Sequence, residues 1–335
     1  MCTCITYKNG DFYFGRNMDL EYSFGECVVV TPHDFQFQFR HEESLSRHYA
    51  MIGMAVGREE FPLYAEAVNE RGLCMAGLNF PGNAYYRKAE AGKRNLATFE
   101  LIPWILGTCA STAEAAGRLR DIVITDEAFS ESMPPAQLHW MLADRKDSIV
   151  VESVREGIKI YENPFGVLTN NPPFEYHRIN LNNYLNVTAG HPQPRFCRKE
   201  LVPAERADHY LPLEAYSQGM GGIGLPGDYS SASRFVKAAF LKWNSVCESN
   251  EEENISQFFH ILDSVAMPRG AVVTQDGKYD ITTYSCCVNA DTGTYYYKTY
   301  GNSRINAVDM RNVNLDGNMP AIYPIETETN IRKIN

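Results

Sequence analysis

Positive charge is scarce in this chain. Over 335 residues, 31 Lys and Arg stand against 41 Asp and Glu, a formal net charge of −10. Phosphate binding needs a cationic face, so nucleic acid is excluded as an expected partner. An anionic ligand would have to be met by a local cation. No stretch is apolar and long enough to cross a bilayer, and no stable membrane association is expected. Residues 1–24 lack the basic start and apolar run of an export signal, which makes the cytoplasm the expected compartment.

Cysteine is present but without a framework. The nine are Cys2, Cys4, Cys27, Cys74, Cys109, Cys197, Cys247, Cys286 and Cys287. Their number is odd, their spacing irregular, and no CxxC pair or zinc-spaced His/Cys cluster exists, so neither disulfides nor a structural zinc is expected. The eight His are scattered without HExxH, and there is no GxSxG elbow, so no metal and no cofactor are expected. Gly219-Met220-Gly221-Gly222-Ile223-Gly224 matches GxGxxG but lacks the strand before it and the helix after it that a dinucleotide site requires. No internal repeat or low-complexity tract is present.

The composition is 44% hydrophobic and rich in Tyr (20) and Phe (17), which favours a sheet-rich fold or a lined pocket. Residues 2–8 and 11–17 read as a β-hairpin about Asn9-Gly10. A two-residue turn pairs Cys2 with Asn17 and leaves Arg16 on the opposite face. A three-residue turn with a bulge shifts the register by one and brings Arg16 to the thiol side. Further hairpins are expected over 148–164 and 282–300. Helices are expected over 99–106, from Ser111-Thr112-Ala113-Glu114 as a capping box, over 233–243 with Phe235, Ala239, Phe240 and Trp243 on one face, and over 254–267 with Asn254 as N-cap. Antiparallel hairpins with interspersed helices indicate an α+β fold rather than a parallel sheet. The polar, proline-bearing stretch at about 183–222 reads as a long arm on a single domain.

Cys2 directly follows the initiator Met, which is generally removed before a small residue. Cys2 would then carry a thiol of ordinary pKa about 8.5 and an α-amine near 7.7–8.0 on one residue. Such a pair can act as nucleophile and base. A buried, inert thiol is the plainer reading.

The opening MCT and FGRNMDLEYSF, Asn69-Glu70-Arg71-Gly72-Leu73, AGLNFPG (76–82), VLTNNPPF (167–174), GLPGDYSSASRF (224–235), and NAVDM with NLDGN (306–318) follow in that order. Together they resemble the choloylglycine hydrolase family, and within it the bile salt hydrolases, from end to end. The resemblance implies the four-layer αββα sandwich of N-terminal nucleophile hydrolases, spanning 1–335 as one domain with 2–330 catalytic. It implies that Cys2 is the nucleophile and that Arg16 and Asp19 stand beside the thiol and amine. Asn79 and Asn170 would surround the tetrahedral intermediate, and Arg234 would be the second arginine of the site. Met18, Phe24, Phe129, Met133 and Leu138 would line the pocket. The implied substrates are glycine- and taurine-conjugated bile salts, and the implied assembly is a homotetramer with the arm as a contact. Penicillin V acylase or another N-acyl amide hydrolase on the same scaffold is the alternative, and a non-catalytic steroid-binding protein a second. Read without the family, Arg16 and Asp19 are a solvated pair, Asn79 and Asn170 are turn residues, and Arg234 is a capping charge.

Overall fold

In the computed structural model, which describes residues 1–193, 196 and 214–335, the chain forms strands β1 (Cys2–Asn9), β2 (Asp11–Leu20), β3 (Glu26–Thr31), β4 (Met51–Val56), β5 (Leu63–Asn69), β6 (Cys74–Asn79), β7 (Arg94–Ala97), β8 (Ile122–Thr125), β9 (Leu138–Ala143), β10 (Ser148–Val154), β11 (Gly157–Glu162), β12 (Val167–Leu168), β13 (Val272–Val273), β14 (Tyr279–Asn289), β15 (Thr294–Thr299), β16 (Asn306–Asp309) and β17 (Ala321–Pro324). The helices are α1 (Leu101–Thr108), α2 (Thr112–Leu119), α3 (Phe174–Asn180), α4 (Ser231–Asn244) and α5 (Glu251–Asp263). Of the expected arm, residues 194, 195 and 197–213, including Cys197, lie outside the described residues.

Two antiparallel sheets face each other. One runs β12-β1-β2-β14-β15-β16 with β13 on β14, and the other runs β11-β10-β9-β6-β5-β4-β3-β17. Helices α4 and α5 cover the outer face of the first sheet, and α1 covers the outer face of the second. One apolar core includes Cys4, Phe14, Val28, Ile52, Met54 and Tyr284, drawn from both sheets. A second, with Leu101, Trp104, Ile105 and Trp140, fills the space beneath α1. Each layer thus buries its apolar side against the next, giving the αββα arrangement.

The first hairpin settles the register. Asn9 pairs with Asp11 across Gly10, and Cys2 therefore pairs with Met18 and Cys4 with Arg16. Gly10 has φ +72°, a left-handed conformation that glycine adopts without a Cβ penalty. The turn is of the odd, three-residue kind, so Arg16 and Met18 share a face with Cys2, while Asn17 turns outward and donates to Leu262 O on α5 at 2.8 Å. β2 and β14 run very close: a Cβ on Gly15 would lie 2.0 Å from Cys286 O.

The hairpins at β10–β11 and β14–β15 lie where the sequence placed them. Ser111 caps α2 by accepting from Glu114 N at 3.3 Å. Two local expectations need correction. α5 starts earlier than expected, capped by Asn250, which accepts from Glu253 N at 2.9 Å. Glu251, Glu252 and Glu253 fill its first turn, where carboxylates are favoured by the helix dipole. Asn254 is instead buried inside the helix, donating to Asn9 O at 2.9 Å and so tying α5 to the hairpin tip. On α4, Trp243 is 56% exposed, and Val236 and Ala238 take up the buried face with Phe235 and Ala239.

Candidate active site

Cys2 begins β1 and is buried. Its Sγ lies 3.9 Å from Met18 Sδ on the facing strand. Its backbone N–H donates to Asn170 Oδ1 at 2.8 Å, and its carbonyl accepts from Arg234 Nη1 at 2.5 Å. Asn170 follows β12, the edge strand that pairs with β1, which is why its amide reaches the start of the chain. Asn170 Oδ1 also accepts from Arg234 Nη2 at 2.9 Å, and Asn170 Nδ2 donates to Asn79 O at 2.8 Å. An amide NH2 carries two donors, so one N–H of Asn170 remains for another acceptor. Asn79, at the end of β6, joins this network through its main-chain carbonyl.

Arg234 enters from α4. Ser230 caps the helix, and Arg234 sits on its first turn, 1% exposed, pointing at the sheet instead of solvent. Beside its bonds to Cys2 O and Asn170, it donates to Thr3 Oγ1 at 2.7 Å and to Tyr229 O at 3.0 Å. Asp19 Oδ2 stands 3.9 Å from Arg234 Nη1. Burial lowers the pKa of Arg234, against the pull of Asp19 and Cys2. Burial likewise raises that of Asp19, opposed chiefly by Arg234. A bulge in β14 between Thr282 and Tyr284 aims two even-numbered residues at opposite faces. Thr282 therefore donates to Asp19 Oδ1 at 2.6 Å on the outer face, while Tyr284 reaches Glu66 Oε2 at 2.9 Å between the sheets.

Arg16 lies between the sheets, fully buried. Its Nη1 donates to Gly77 O at 2.5 Å and stands 3.6 Å from Glu66 Oε2, and its Nη2 lies 3.5 Å from Met18 Sδ. Burial alone would lower its pKa, but the neighbouring Cys2, Tyr284 and Glu66 more than offset this, so the guanidinium holds its proton. The Met1 amine donates to Asp19 O at 2.5 Å and to Asp280 Oδ2 at 3.3 Å, and Met1 O accepts from Asp19 N at 2.8 Å.

The structure therefore gathers Cys2, Arg16, Met18, Asp19, Asn79, Asn170 and Arg234 about one point. The other expected lining residues are more dispersed. Phe24 packs against the core between the sheets, whereas Phe129 and Leu138 pack against the core beneath α1. Phe129 stands edge-on to Phe99 with ring centroids 5.1 Å apart, and Met133 Sδ lies 3.6 Å from Arg58 Nη2. A cavity of about 420 Å3 adjoins the outer side of the site through Tyr229 and Thr282. A larger hollow of about 820 Å3, lined by Lys8, Arg145 and Lys242 among others, lies toward the opposite end of β1.

Sequence reading missed three buried polar residues behind these groups. His139 Nε2 donates to Thr169 O at 3.0 Å and His177 Nε2 to Asn170 O at 2.9 Å, so two imidazoles pin consecutive carbonyls at the Asn170 turn. Burial pushes the His177 pKa down to about 4. The third is Glu66, on the strand LYAEAVN, which no motif marks. No helix among the described residues is long and apolar enough to cross a membrane.

A family model described as linear amide C–N hydrolases, choloylglycine hydrolase family, matches residues 2–323. Among curated proteins, the chain is 48% identical over its full length to a bile salt hydrolase/transferase of Lactiplantibacillus plantarum, all of which is covered. It is 38% identical to the bile salt hydrolase/transferase of Clostridium perfringens, again with both chains fully covered. Among solved structures, a mutant conjugated bile acid hydrolase from Clostridium perfringens superposes with TM-score 0.89 at 37% identity over all of both chains. Penicillin V acylase from Agrobacterium tumefaciens superposes with TM-score 0.75 at 18% identity, over 97% of this chain and 92% of its own, and shares the fold. The sandwich is thus that of the N-terminal nucleophile hydrolases, and the chain belongs to the choloylglycine hydrolase family of linear amide C–N hydrolases.

Proposed function

We propose that this enzyme hydrolyses the amide bond of glycine- and taurine-conjugated bile salts, with Cys2 as nucleophile after removal of Met1. The observation that carries this reading is that Asn170 and Arg234 bond the Cys2 main chain, Asp19 stands against Arg234, and Arg16 pairs across the hairpin with Cys4 on the face of Cys2. The full-length likeness to bile salt hydrolases, at 48% and 38% identity, selects the substrate class.

The Cys2 sulfur, as thiolate beside Arg16, attacks the amide carbon joining the steroid acid to its amino acid. The carbonyl π pair moves to oxygen, and the oxyanion takes hydrogen bonds from the second N–H of Asn170 and from Asn79, each such donor contributing about 2.7–4 kcal/mol. Collapse expels the amine, which takes a proton from the Cys2 α-ammonium, and leaves a thioester on Cys2. The neutral α-amine then removes a proton from water. The resulting hydroxide attacks the thioester, the C–S bond breaks, and free bile acid leaves with Cys2 restored. Arg234 and Asn170 already hold the Cys2 main chain, so removal of Met1 frees an amine whose position is fixed. Asp19, relieved of Met1, faces that amine from the same strand end. Met18 lies against the thiol as an adaptable apolar wall.

Release of glycine and taurine from conjugated bile salts is measured beside release of phenoxyacetic acid from penicillin V. Bile salt turnover is expected to dominate; dominant penicillin V turnover overturns the substrate choice. Cys2→Ser is expected to lose turnover, and a thioester on Cys2 should be trapped by mass spectrometry. Full turnover without Cys2, or with Met1 still attached, overturns the nucleophile. We further propose a single-domain, cytoplasmic protein that assembles as a homotetramer. Light scattering that gives a monomer at micromolar concentration removes the last point.

A further inference from the structure

Glu66 sits in the middle of β5, 2% exposed, and its side chain spans the space between the two sheets. Groups face it from three strands of the opposite sheet. Tyr284 OH on β14 donates to Oε2 at 2.9 Å, and Cys286 Sγ on the same strand lies 3.5 Å from Oε1. Tyr295 OH on β15 donates to Oε1 at 2.7 Å, and Arg16 Nη1 on β2 stands 3.6 Å from Oε2. Cys4, beside Arg16 on β1, is the next titratable side chain, its thiol pushed far up by burial. The strand partners of Glu66, Met54 and Ala76, carry no titratable group. A carboxylate in such a place is costly unless it is paired. Two phenols hold its oxygens, and one edge of Arg16 faces the remaining side; burial pushes the Glu66 pKa up, opposed first by Arg16 and then by Tyr295 and Tyr284. The other edge of that guanidinium rests on Met18 Sδ, which itself touches Cys2 Sγ.

We propose that Glu66 is a positioning residue for Arg16: by anchoring one edge of the guanidinium to the second sheet, it sets how much of that charge the Cys2 sulfur receives. The inference rests on the reading of Cys2 as nucleophile and Arg16 as its counter-charge. A carboxylate that only stitched the sheets together through Tyr284 and Tyr295 would affect stability alone.

The test is Glu66→Gln in the full chain, with Met1 removal verified by intact mass. Cys2 alkylation by iodoacetamide is followed by peptide mass spectrometry from pH 4 to 9, beside kcat and KM. With the carboxylate charge gone, Arg16 is less balanced and the alkylation profile moves to lower pH by about one unit. The looser guanidinium lowers kcat by about tenfold while KM stays within about threefold. Glu66→Asp keeps the charge but withdraws it by one methylene, so its shift has the same sign and is smaller. It decides the question should Glu66→Gln not fold. An alkylation profile that stays in place in a folded variant, with only the melting temperature lowered, overturns the proposal. That outcome is distinct from failure of the nucleophile itself, because alkylation needs no substrate and Cys2→Ser tests turnover separately.

Discussion

Arg234 offers a quantitative test of the site's architecture through Arg234→Met. The guanidinium is 1% exposed and makes four hydrogen bonds, to Cys2 O, Thr3 Oγ1, Asn170 Oδ1 and Tyr229 O, beside its contact with Asp19. Met restores most of the apolar volume but none of the donors. Asp19 then keeps Thr282 as its side-chain donor and loses the cation that most favours its charge. Removing one partner of a buried pair costs roughly 3–5 kcal/mol. The sign with pH follows from Asp19, whose folded pKa is raised by burial. The native state then binds more protons than the unfolded one, so stability declines as pH rises from the unfolded value of 3.8 through the higher folded value. Without Arg234 the folded value rises further, and the decline extends to higher pH. Urea unfolding at fixed protein concentration, followed by far-ultraviolet circular dichroism at pH 5 and pH 8, measures this. The variant should lose about 3–5 kcal/mol at pH 8 and distinctly less at pH 5. The double variant Asp19→Asn with Arg234→Met should recover part of the loss at pH 8. A loss below about 1 kcal/mol at pH 8, or no recovery in the double variant, would refute the view that Arg234 compensates Asp19.

Three further outcomes are expected. Asn170→Ala removes the acceptor of the Cys2 N–H and the proposed oxyanion donor together and should lower kcat by about 10²–10³-fold with little change in KM, read by initial rates on a conjugated bile salt. His177, whose folded pKa is depressed to about 4, stays neutral where an unfolded His charges; stability should therefore be lost as pH falls from 6.5 toward 4, and His177→Gln should flatten that part of the acid unfolding curve. Ser111→Ala removes the α2 cap and should cost about 1 kcal/mol by urea unfolding without affecting turnover, since the cap lies on the outer helix layer.

Much of the frame was legible locally. Turn residues marked the hairpins, and the Ser111–Glu114 pair marked the start of α2, because both signals act over a few residues. The ordered motifs brought Cys2, Asp19, Asn170 and Arg234 together before any geometry was available. The face of Arg16 was not legible, since Asn9-Gly10 suits either an even or an odd turn, and the choice depends on which face the core accepts. Glu66 and His139 were missed because each satisfies its polarity with partners far along the chain, Tyr295 for Glu66 and Thr169 for His139. Asn254 misled for the same reason: a good capping residue was claimed by Asn9, and Asn250 took its place.

The odd turn at Gly10 has a reach beyond its own loop. Eight residues of extended strand, about 26 Å, separate it from Cys2, and it touches nothing of the chemistry. Yet a single-residue deletion there would rotate β2 by half a period, exchange Arg16 with Asn17, and present an amide where the thiol now has a cation. Loop tips are ordinarily where length drifts freely between relatives. In this molecule the tip needs both a glycine at position 10 and an odd length, because its parity sets which side chain of β2 faces Cys2.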